Sequence, residues 1–251
     1  MRSSFKTILC LSSLIILNSA CKKDKVTSGG VSSAQGPAAY TNVYGALIAG
    51  KSVYYFGSSF SDTSYSAAAI FYSAPQPSAA SATTVSVTSV SLNSKALYLY
   101  NPAPGEYIYE DTATSPNLSS VSWQIQGSGI IPSFSSAPAI NYPSYSGYNL
   151  LPDTINIGQS TGTVIHLTGV TGADSLYIQV SSGSTNYSSP NLIAATTSYT
   201  IAQSKLANLP TPGSGQLSVS FEKILVQNVN GKNFVFTKSF QFNKTVAIIN
   251  Q

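Results

Sequence analysis

The chain has 251 residues and a formal net charge of +4, and only 8% of its residues are charged, against about 25% in an average soluble domain. It contains 44 Ser, 21 Thr and 16 Tyr. This composition excludes a coiled coil, which is rich in Ala, Glu, Lys, Leu and Arg, and disfavours a disordered chain, which carries more charge and fewer apolar residues. The small positive charge also argues against binding to nucleic acid.

The first twenty residues have the features of a secretory signal peptide. Arg2 and Lys6 form a basic start, an apolar run covers residues 8–17, and small residues follow at 18–20. The run is too short to span a bilayer, which takes about 20 apolar residues. We therefore predict that residues 1–20 are a signal peptide; a buried core helix is the alternative.

Cys21 directly follows this segment. Residues 17–21 resemble the lipobox of bacterial lipoproteins, in which the Cys sulfur receives a diacylglycerol. Asn18 departs from the strict lipobox, and looser lipoboxes followed by a basic stretch, such as residues 22–25, occur in Bacteroidota. Cys10 would be lost with the signal, so Cys21 has no disulfide partner in the mature chain. The resemblance implies membrane-lipid attachment at Cys21 in the cell outer membrane, facing the periplasm or the cell surface; cleavage that leaves a free thiol is the alternative.

The next segment, residues 21–39, is predicted to be a lipidated tether. After its basic start it consists mostly of Gly, Ser, Ala and Thr, with little bulky apolar content. Such a composition is typical of a flexible linker. Its reach of roughly 25 Å would hold a folded body just off a membrane surface.

From Tyr40 onward the apolar residues recur with a period of two. Trp123 and Ile125 alternate with Gln124, for example, and this alternation indicates half-buried strands. Turn signals recur about every 8–12 residues, and Asn230-Gly231 between two apolar runs is the strongest hairpin signal. The sequence therefore predicts an all-β fold built of antiparallel β-sandwiches.

A composition shift at residues 138–152, rich in Pro, Ser, Tyr and Asn, divides this body. We predict one β-sandwich domain over 40–140, a linker over 141–149, and an immunoglobulin-like β-sandwich domain over 150–251. The second domain would contain strands at 153–157, 162–168, 174–181, 192–202, 216–227, 232–242 and 244–249. From Trp123 onward the body resembles a group of uncharacterised Bacteroidota lipoproteins, which implies no activity.

Few side chains are suited to catalysis. His166 is the only histidine, and strand alternation points it away from the apolar face. With one His and no Cys in the body, we predict no metal site and no cofactor. On an extended strand Glu106 and Glu110 lie about 13 Å apart, beyond the roughly 5–9.5 Å of a glycosidase pair. A glycosidase would therefore need one of them to pair with a distant acid.

Tyrosines form the candidate ligand surface. Tyr98 and Tyr100 share one strand face, and Tyr142, Tyr145 and Tyr148 recur at threefold spacing in the junction. Aromatic rings with polar tips suit sugar rings and protein partners. The alternative is that strands favour Tyr and that the junction tyrosines pack between domains.

Three hydroxyl residues follow an Asp and precede a small or apolar residue. Thr112, Thr154 and Ser175 thereby match the O-glycosylation acceptor that the Bacteroidota resemblance implies. The alternative is that Asp-Thr and Asp-Ser pairs open strands by turn chemistry.

We therefore expect a lipid-anchored cell-envelope protein that is not an enzyme and acts as a binding or adhesive module, with glycans as the candidate ligand. General acid–base catalysis needs positioned groups of suitable pKa, and this chain has few. A structural subunit of an envelope protein complex is the alternative, and a carboxylate-dependent glycoside hydrolase is a distant one.

Overall fold

The computed structural model describes residues 42–55, 61–76, 83–101, 105–111, 118 and 120–251. This part of the chain is nearly all β, as the alternation predicts, with one short 3₁₀ helix (Gly147–Leu150) and one helical turn, α1 (Gln203–Leu206). The strands are β1 (Val43–Tyr55), β2 (Ser61–Gln76), β3 (Ser89–Leu92), β4 (Lys95–Ala96), β5 (Tyr98–Tyr100), β6 (Ile108–Glu110), β7 (Trp123–Gln126), β8 (Phe134–Ser136), β9 (Ser144–Tyr145), β10 (Thr154–Asn156), β11 (Thr163–His166), β12 (Val170–Thr171), β13 (Ser175–Ser182), β14 (Thr185–Ser188), β15 (Leu192–Ile193), β16 (Ser198–Ile201), β17 (Gly213–Val229) and β18 (Lys232–Ile249).

Ten strands form one large sheet. Its order is β14-β13-β17-β18-β1-β2-β6-β5, with β10 also beside β18 and β15 beside β13. The smaller sheets are β4-β3-β7-β8, β11-β16 and β12-β9. Most neighbours are antiparallel. β10 pairs with β18 in parallel over three residues, and β1 pairs with β18 in parallel from Val43 opposite Asn233 to Tyr55 opposite Lys244.

This parallel pair corrects the predicted division into two separate sandwiches. Strands from both halves of the chain contribute to the same large sheet, so a continuous backbone ladder joins 40–140 to 150–251. The predicted linker, 141–149, contains β9 and part of the 3₁₀ helix and belongs to the layers that cover the sheet. The longest strands of the second half belong to the shared sheet, so this half is not a separate sandwich. Its immunoglobulin-like character stays a prediction.

The long hairpin β17–β18 turns at the predicted place. Asn230 and Gly231 have φ values of 52° and 80°, which are the positive values that a type I′ turn requires at both central positions. The predicted interruption near residue 243 is absent, and β18 runs through it. Asn243 is only 1% exposed and accepts a 2.7 Å hydrogen bond from the hydroxyl of Ser218 on the opposite strand. That bond satisfies part of the buried amide and explains why this residue continues the strand.

One face of the large sheet is covered by two different layers. Along β18, Phe234 and Phe236 pack into a core shared with Trp123 of the β4-β3-β7-β8 sheet. Phe240 and Phe242 pack into a second core formed with residues 145–178 and 201–221, among others. Because alternate residues of a strand point to the same side, one strand face passes from the first core to the second.

The opposite face carries small and polar side chains at the centre of the sheet. Ser52, Gln241 and Ser220 lie there on three neighbouring strands in register, and all three are buried. A Cβ atom on Gly50 would lie 2.6 Å from the hydroxyl oxygen of Ser66, so this position needs a residue without a side chain. Among the described residues, no helix is both long enough and apolar enough to cross a bilayer.

Candidate ligand surface

The large sheet ends in a strand with exposed apolar side chains. The exposed fractions of Tyr98, Leu99 and Tyr100, which form β5, are 61%, 47% and 43%. Within the described part of the chain β5 pairs with β6 alone. Tyr98 and Tyr100 share one face of the strand, as alternation predicts, and Leu99 lies on the other face. We call these three residues the β5 edge.

A buried carboxyl group lies beside this edge. Glu110 on β6 stands directly opposite Tyr98, so the two side chains share a face and their Cβ atoms are about 4.5–5.5 Å apart. Glu110 is 8% exposed, and its Oε1 atom has no hydrogen-bond partner among the described groups. Burial raises its pKa above the usual range, which favours the protonated form that can both donate and accept a hydrogen bond.

Tyr109, a residue of β6, holds this strand in place through its side-chain contacts. The Tyr109 hydroxyl donates to the backbone oxygen of Val87 at 2.6 Å and accepts from the backbone N–H of Val87 at 2.7 Å. The Tyr109 ring packs edge-on against Phe71, with ring centroids 6.1 Å apart. These contacts fix β6, the strand that carries Glu110, so the β5 edge pairs with a strand that is packed against the core.

The three junction tyrosines do not belong to an exposed surface. Tyr145 is 7% exposed, and its hydroxyl lies 2.9 Å from the backbone oxygens of Gly147 and His166. The half-buried ring of Tyr148 stacks on Phe242 at a centroid distance of 5.7 Å.

The hydroxyl of Tyr142 is also buried, and it has no hydrogen-bond partner among the described groups. The structure therefore corrects the prediction that Tyr142, Tyr145 and Tyr148 form one exposed ligand surface. They pack in the layers over the shared sheet, not between two separate domains as the alternative proposed, and are not gathered with Tyr98 and Tyr100.

The remaining chemical candidates are dispersed. His166 is exposed on β11 and Glu106 is exposed outside the strands. Asp153 forms a 2.8 Å ion pair with Lys244, and Asp174 forms a 2.6 Å ion pair with Lys223. Over the described residues no group of three or more His, Cys, Asp or Glu side chains is placed to hold a metal ion.

The candidate glycosylation residues differ in accessibility. Thr154 is exposed at the start of β10, whereas Ser175 is 1% exposed and donates a 3.3 Å hydrogen bond to Glu222. A sugar on Ser175 would have no room in the folded chain, so the structure argues against this residue. Thr112 and the lipid-attachment candidate Cys21 lie outside the described residues.

The structure also shows a shallow trough of about 440 Å³ on the outward face of the β4-β3-β7-β8 sheet. Its polar lining residues are Ser89, Ser91, Gln124, Gln126, Ser133 and Ser135. The sequence signal for it is the alternation that buries Trp123 and Ile125, because their neighbours Gln124 and Gln126 must then face outward.

Comparison with protein-family models, with the curated proteins and with the solved structures found no match. Function is therefore inferred from the chemistry of these surfaces.

Proposed function

We propose that this chain is a lipid-anchored protein of the bacterial cell envelope, of the Bacteroidota type, that binds glycans without catalysis through the β5 edge. The observation that carries the proposal is the exposure of Tyr98, Leu99 and Tyr100 on one strand, next to Glu110, whose Oε1 atom has no hydrogen-bond partner among the described groups. The proposed anchor is a lipid on Cys21, with residues 21–39 as the tether that lets the body reach its ligand.

The chemistry of the β5 edge suits a sugar. The face of an aromatic ring packs against the C–H groups of a pyranose, and its hydroxyl offers a hydrogen bond at the rim. Glu110 adds a hydrogen-bonding group next to Tyr98, where a sugar hydroxyl would replace the partner that Oε1 lacks. Because Tyr109 holds β6 in place, little ordering would be required on binding, which favours affinity.

The proposal of a protein without enzymatic activity rests on the state of the acids. Asp153 and Asp174 are each paired with a lysine, and Ser175 donates a hydrogen bond to Glu222 within the sheet. A glycosidase would need a second carboxyl roughly 5–9.5 Å from Glu110. Binding without catalysis needs only the ring faces and a hydrogen-bonding group.

A glycan array tests the proposal with the mature chain carrying Cys21→Ala, so that lipid is absent. We expect saturable binding that is lost in Tyr98→Ala and Tyr100→Ala. Val164→Ala is the matched control, because Val164 is 44% exposed on the distant strand β11. An array without saturable binding, or equal binding by both tyrosine variants and the control, would contradict the proposal.

A structural role in an envelope complex is the second candidate, and it is favoured by the position of β5. An edge strand presents unpaired backbone groups that can accept a strand from another chain. In that case no glycan would bind, and one envelope protein would co-purify with the parent chain but not with Leu99→Pro. The proline removes the backbone N–H of Leu99 and so disfavours strand addition.

A further inference from the structure

A lysine is buried between the two cores of the large sheet. Lys238 follows Phe236 and precedes Phe240 by two residues on β18, so it shares their face, and it is only 6% exposed. Burial lowers its pKa. A lysine is almost never this buried unless its charge is compensated, so the surroundings of its ammonium group need an explanation.

The neighbouring strands bring further positive charge. Lys223 stands directly opposite Lys238 on β17, but its ammonium is committed to Asp174 at 2.6 Å. On the other side, Lys51 of β1 is opposite Phe240 and shares its face. Within the described part of the chain, neither Lys51 nor Lys238 forms an ion pair. The nearby Glu222 lies on the other face of the sheet, because it precedes Lys223 in the strand.

Aromatic groups complete the surroundings. The Lys238 Nζ atom lies 5.2 Å from the ring centroid of Tyr142, and the Lys51 Nζ atom lies 5.8 Å from that of Phe240. The Tyr142 hydroxyl is buried without a hydrogen-bond partner among the described groups. Tyr65 stands opposite Lys51 on the same face. After burial, its phenol is the second cause that raises the pKa of Tyr142.

These four residues, which we call the seam cluster, are Lys51, Tyr65, Tyr142 and Lys238. Each ammonium offers three hydrogen-bond donors, and each phenol offers one. The ring contacts give a partial counterweight to the charges, but they supply no acceptor oxygen. The cluster therefore combines uncompensated positive charge with unused hydrogen-bond donors. A negatively charged group with acceptor oxygens would satisfy both.

We propose that the seam cluster binds an oxyanion, namely the carboxylate or sulfate group of a small ligand. Such a group would compensate Lys238 and Lys51 and would accept the hydrogen bond that the Tyr142 hydroxyl lacks. The proposal goes beyond the glycan binding proposed above, because the seam cluster is built on β1, β2, β18 and the segment before β9, and includes no residue of β5. The same chemistry is found in a free inorganic anion and in an acidic sugar.

Isothermal titration calorimetry of the mature chain with Cys21→Ala tests the site. The probes are sodium sulfate, sodium acetate, sodium glucuronate and uncharged glucose, all at one ionic strength set with sodium chloride. We expect saturable binding of at least one oxyanion and none of glucose at this site. Tighter binding of glucuronate than of acetate would identify an acidic sugar as the source, and equal or tighter binding of the simple anions would identify a free anion.

Substitutions test whether the anion binds at the seam cluster. We expect Lys238→Met to weaken binding at least tenfold, since Met keeps much of the shape and removes the charge. Tyr142→Phe removes one hydroxyl and should weaken binding severalfold, which keeps the test informative if Lys238→Met fails to fold. Lys205→Met, at an exposed lysine of α1, should leave binding unchanged. Absence of saturable binding by all three anions would overturn the proposal, as would equal binding by the parent chain, Tyr142→Phe and Lys51→Met.

Discussion

Replacing Glu222 by Gln should change how the stability of this protein depends on pH. Glu222 lies on β17, is 8% exposed, and has as its polar contact the hydroxyl of Ser175, which donates to Oε2 at 3.3 Å. Its partner in register on β18 is Ser239, and Lys223 points to the other face. Because no described cation pairs with this carboxylate, burial raises the pKa of Glu222 to about 7 from an ordinary value of 4.5.

The direction in which stability changes with pH follows from proton binding. Between pH 4.5 and about 7 the folded chain holds a proton on Glu222 that the unfolded chain has released, so the free energy of unfolding falls as the pH rises. The stabilisation that comes from this bound proton is fully present below pH 4.5 and is lost by about pH 7. At 1.36 kcal/mol per pH unit the loss is about 3 kcal/mol. Gln keeps an acceptor for the Ser175 hydroxyl without any charge, so Glu222→Gln should lack this loss and be the more stable form at pH 8.

Urea unfolding at a series of pH values from 4.5 to 8 measures the effect. The single tryptophan, Trp123, is 1% exposed and reports unfolding by its fluorescence. Glu106→Gln is the matched control, because Glu106 is exposed and outside the strands. Parallel losses of stability in Glu222→Gln and the parent chain over this range would contradict the prediction. So would loss of the pH dependence of stability in Glu106→Gln instead.

Three further outcomes are expected. Cys21→Ala should move the protein from the membrane fraction to the soluble fraction, and identical fractionation of the variant and the parent would contradict lipid anchoring. The intact mass of the parent should exceed that of polypeptide plus lipid by hexose units that Thr154→Ala reduces, whereas an unmodified mass would contradict glycosylation. Tyr109→Phe should destabilise the fold by about 1–3 kcal/mol, because the buried N–H and C=O of Val87 lose their shared partner. Urea unfolding measures the loss, and stability equal to that of the parent would refute this role.

Local pattern predicts the strands well because it is a property of neighbouring residues. The alternation around Trp123 appears in the structure as buried and exposed residues in turn, and Asn230-Gly231 makes the predicted turn. The pairing of β1 with β18 joins residues far apart in the sequence, and the residues of neither strand indicate which strand it pairs with. The composition shift at 138–152 therefore shows where the chain passes from one covering layer to the other, but not that the strands on both sides share a ladder.

The tyrosines show the same limit at the candidate site. Tyr98 and Tyr145 both lie in short polar and aromatic segments, but only Tyr98 lies at the edge of the large sheet with its ring exposed. Tyr145 lies opposite Val170 in the β12-β9 pair and turns its hydroxyl to two backbone carbonyls. Because exposure depends on tertiary position, residue type and spacing left both interpretations of these tyrosines open.

Lys238 could have been found from the sequence. It occupies the central place in a run in which Phe234, Phe236, Phe240 and Phe242 take the alternate positions. A period of two predicts an apolar residue there, and the strand instead turns a charge inward. A departure of this kind has a cost in stability, and such departures are expected where function requires them.

The β5 edge is the opposite departure, because three large apolar side chains stand in water where a soluble strand would carry polar ones. Lys238 on β18 is separated from the β5 edge by β1, β2 and β6 in the sheet order, which is roughly 19 Å at about 4.8 Å per strand. Tyr65 on β2 is the member of the seam cluster on the strand nearest to that edge, and β6 alone lies between them, which is roughly 10 Å. Substitutions at such distances are expected to act independently. Tyr98→Ala should therefore leave oxyanion binding intact, and Lys238→Met should leave glycan binding intact. Loss of both activities in either variant would mean that the ligand spans the sheet or that the fold itself had failed, and urea unfolding of the same variants would separate these two cases.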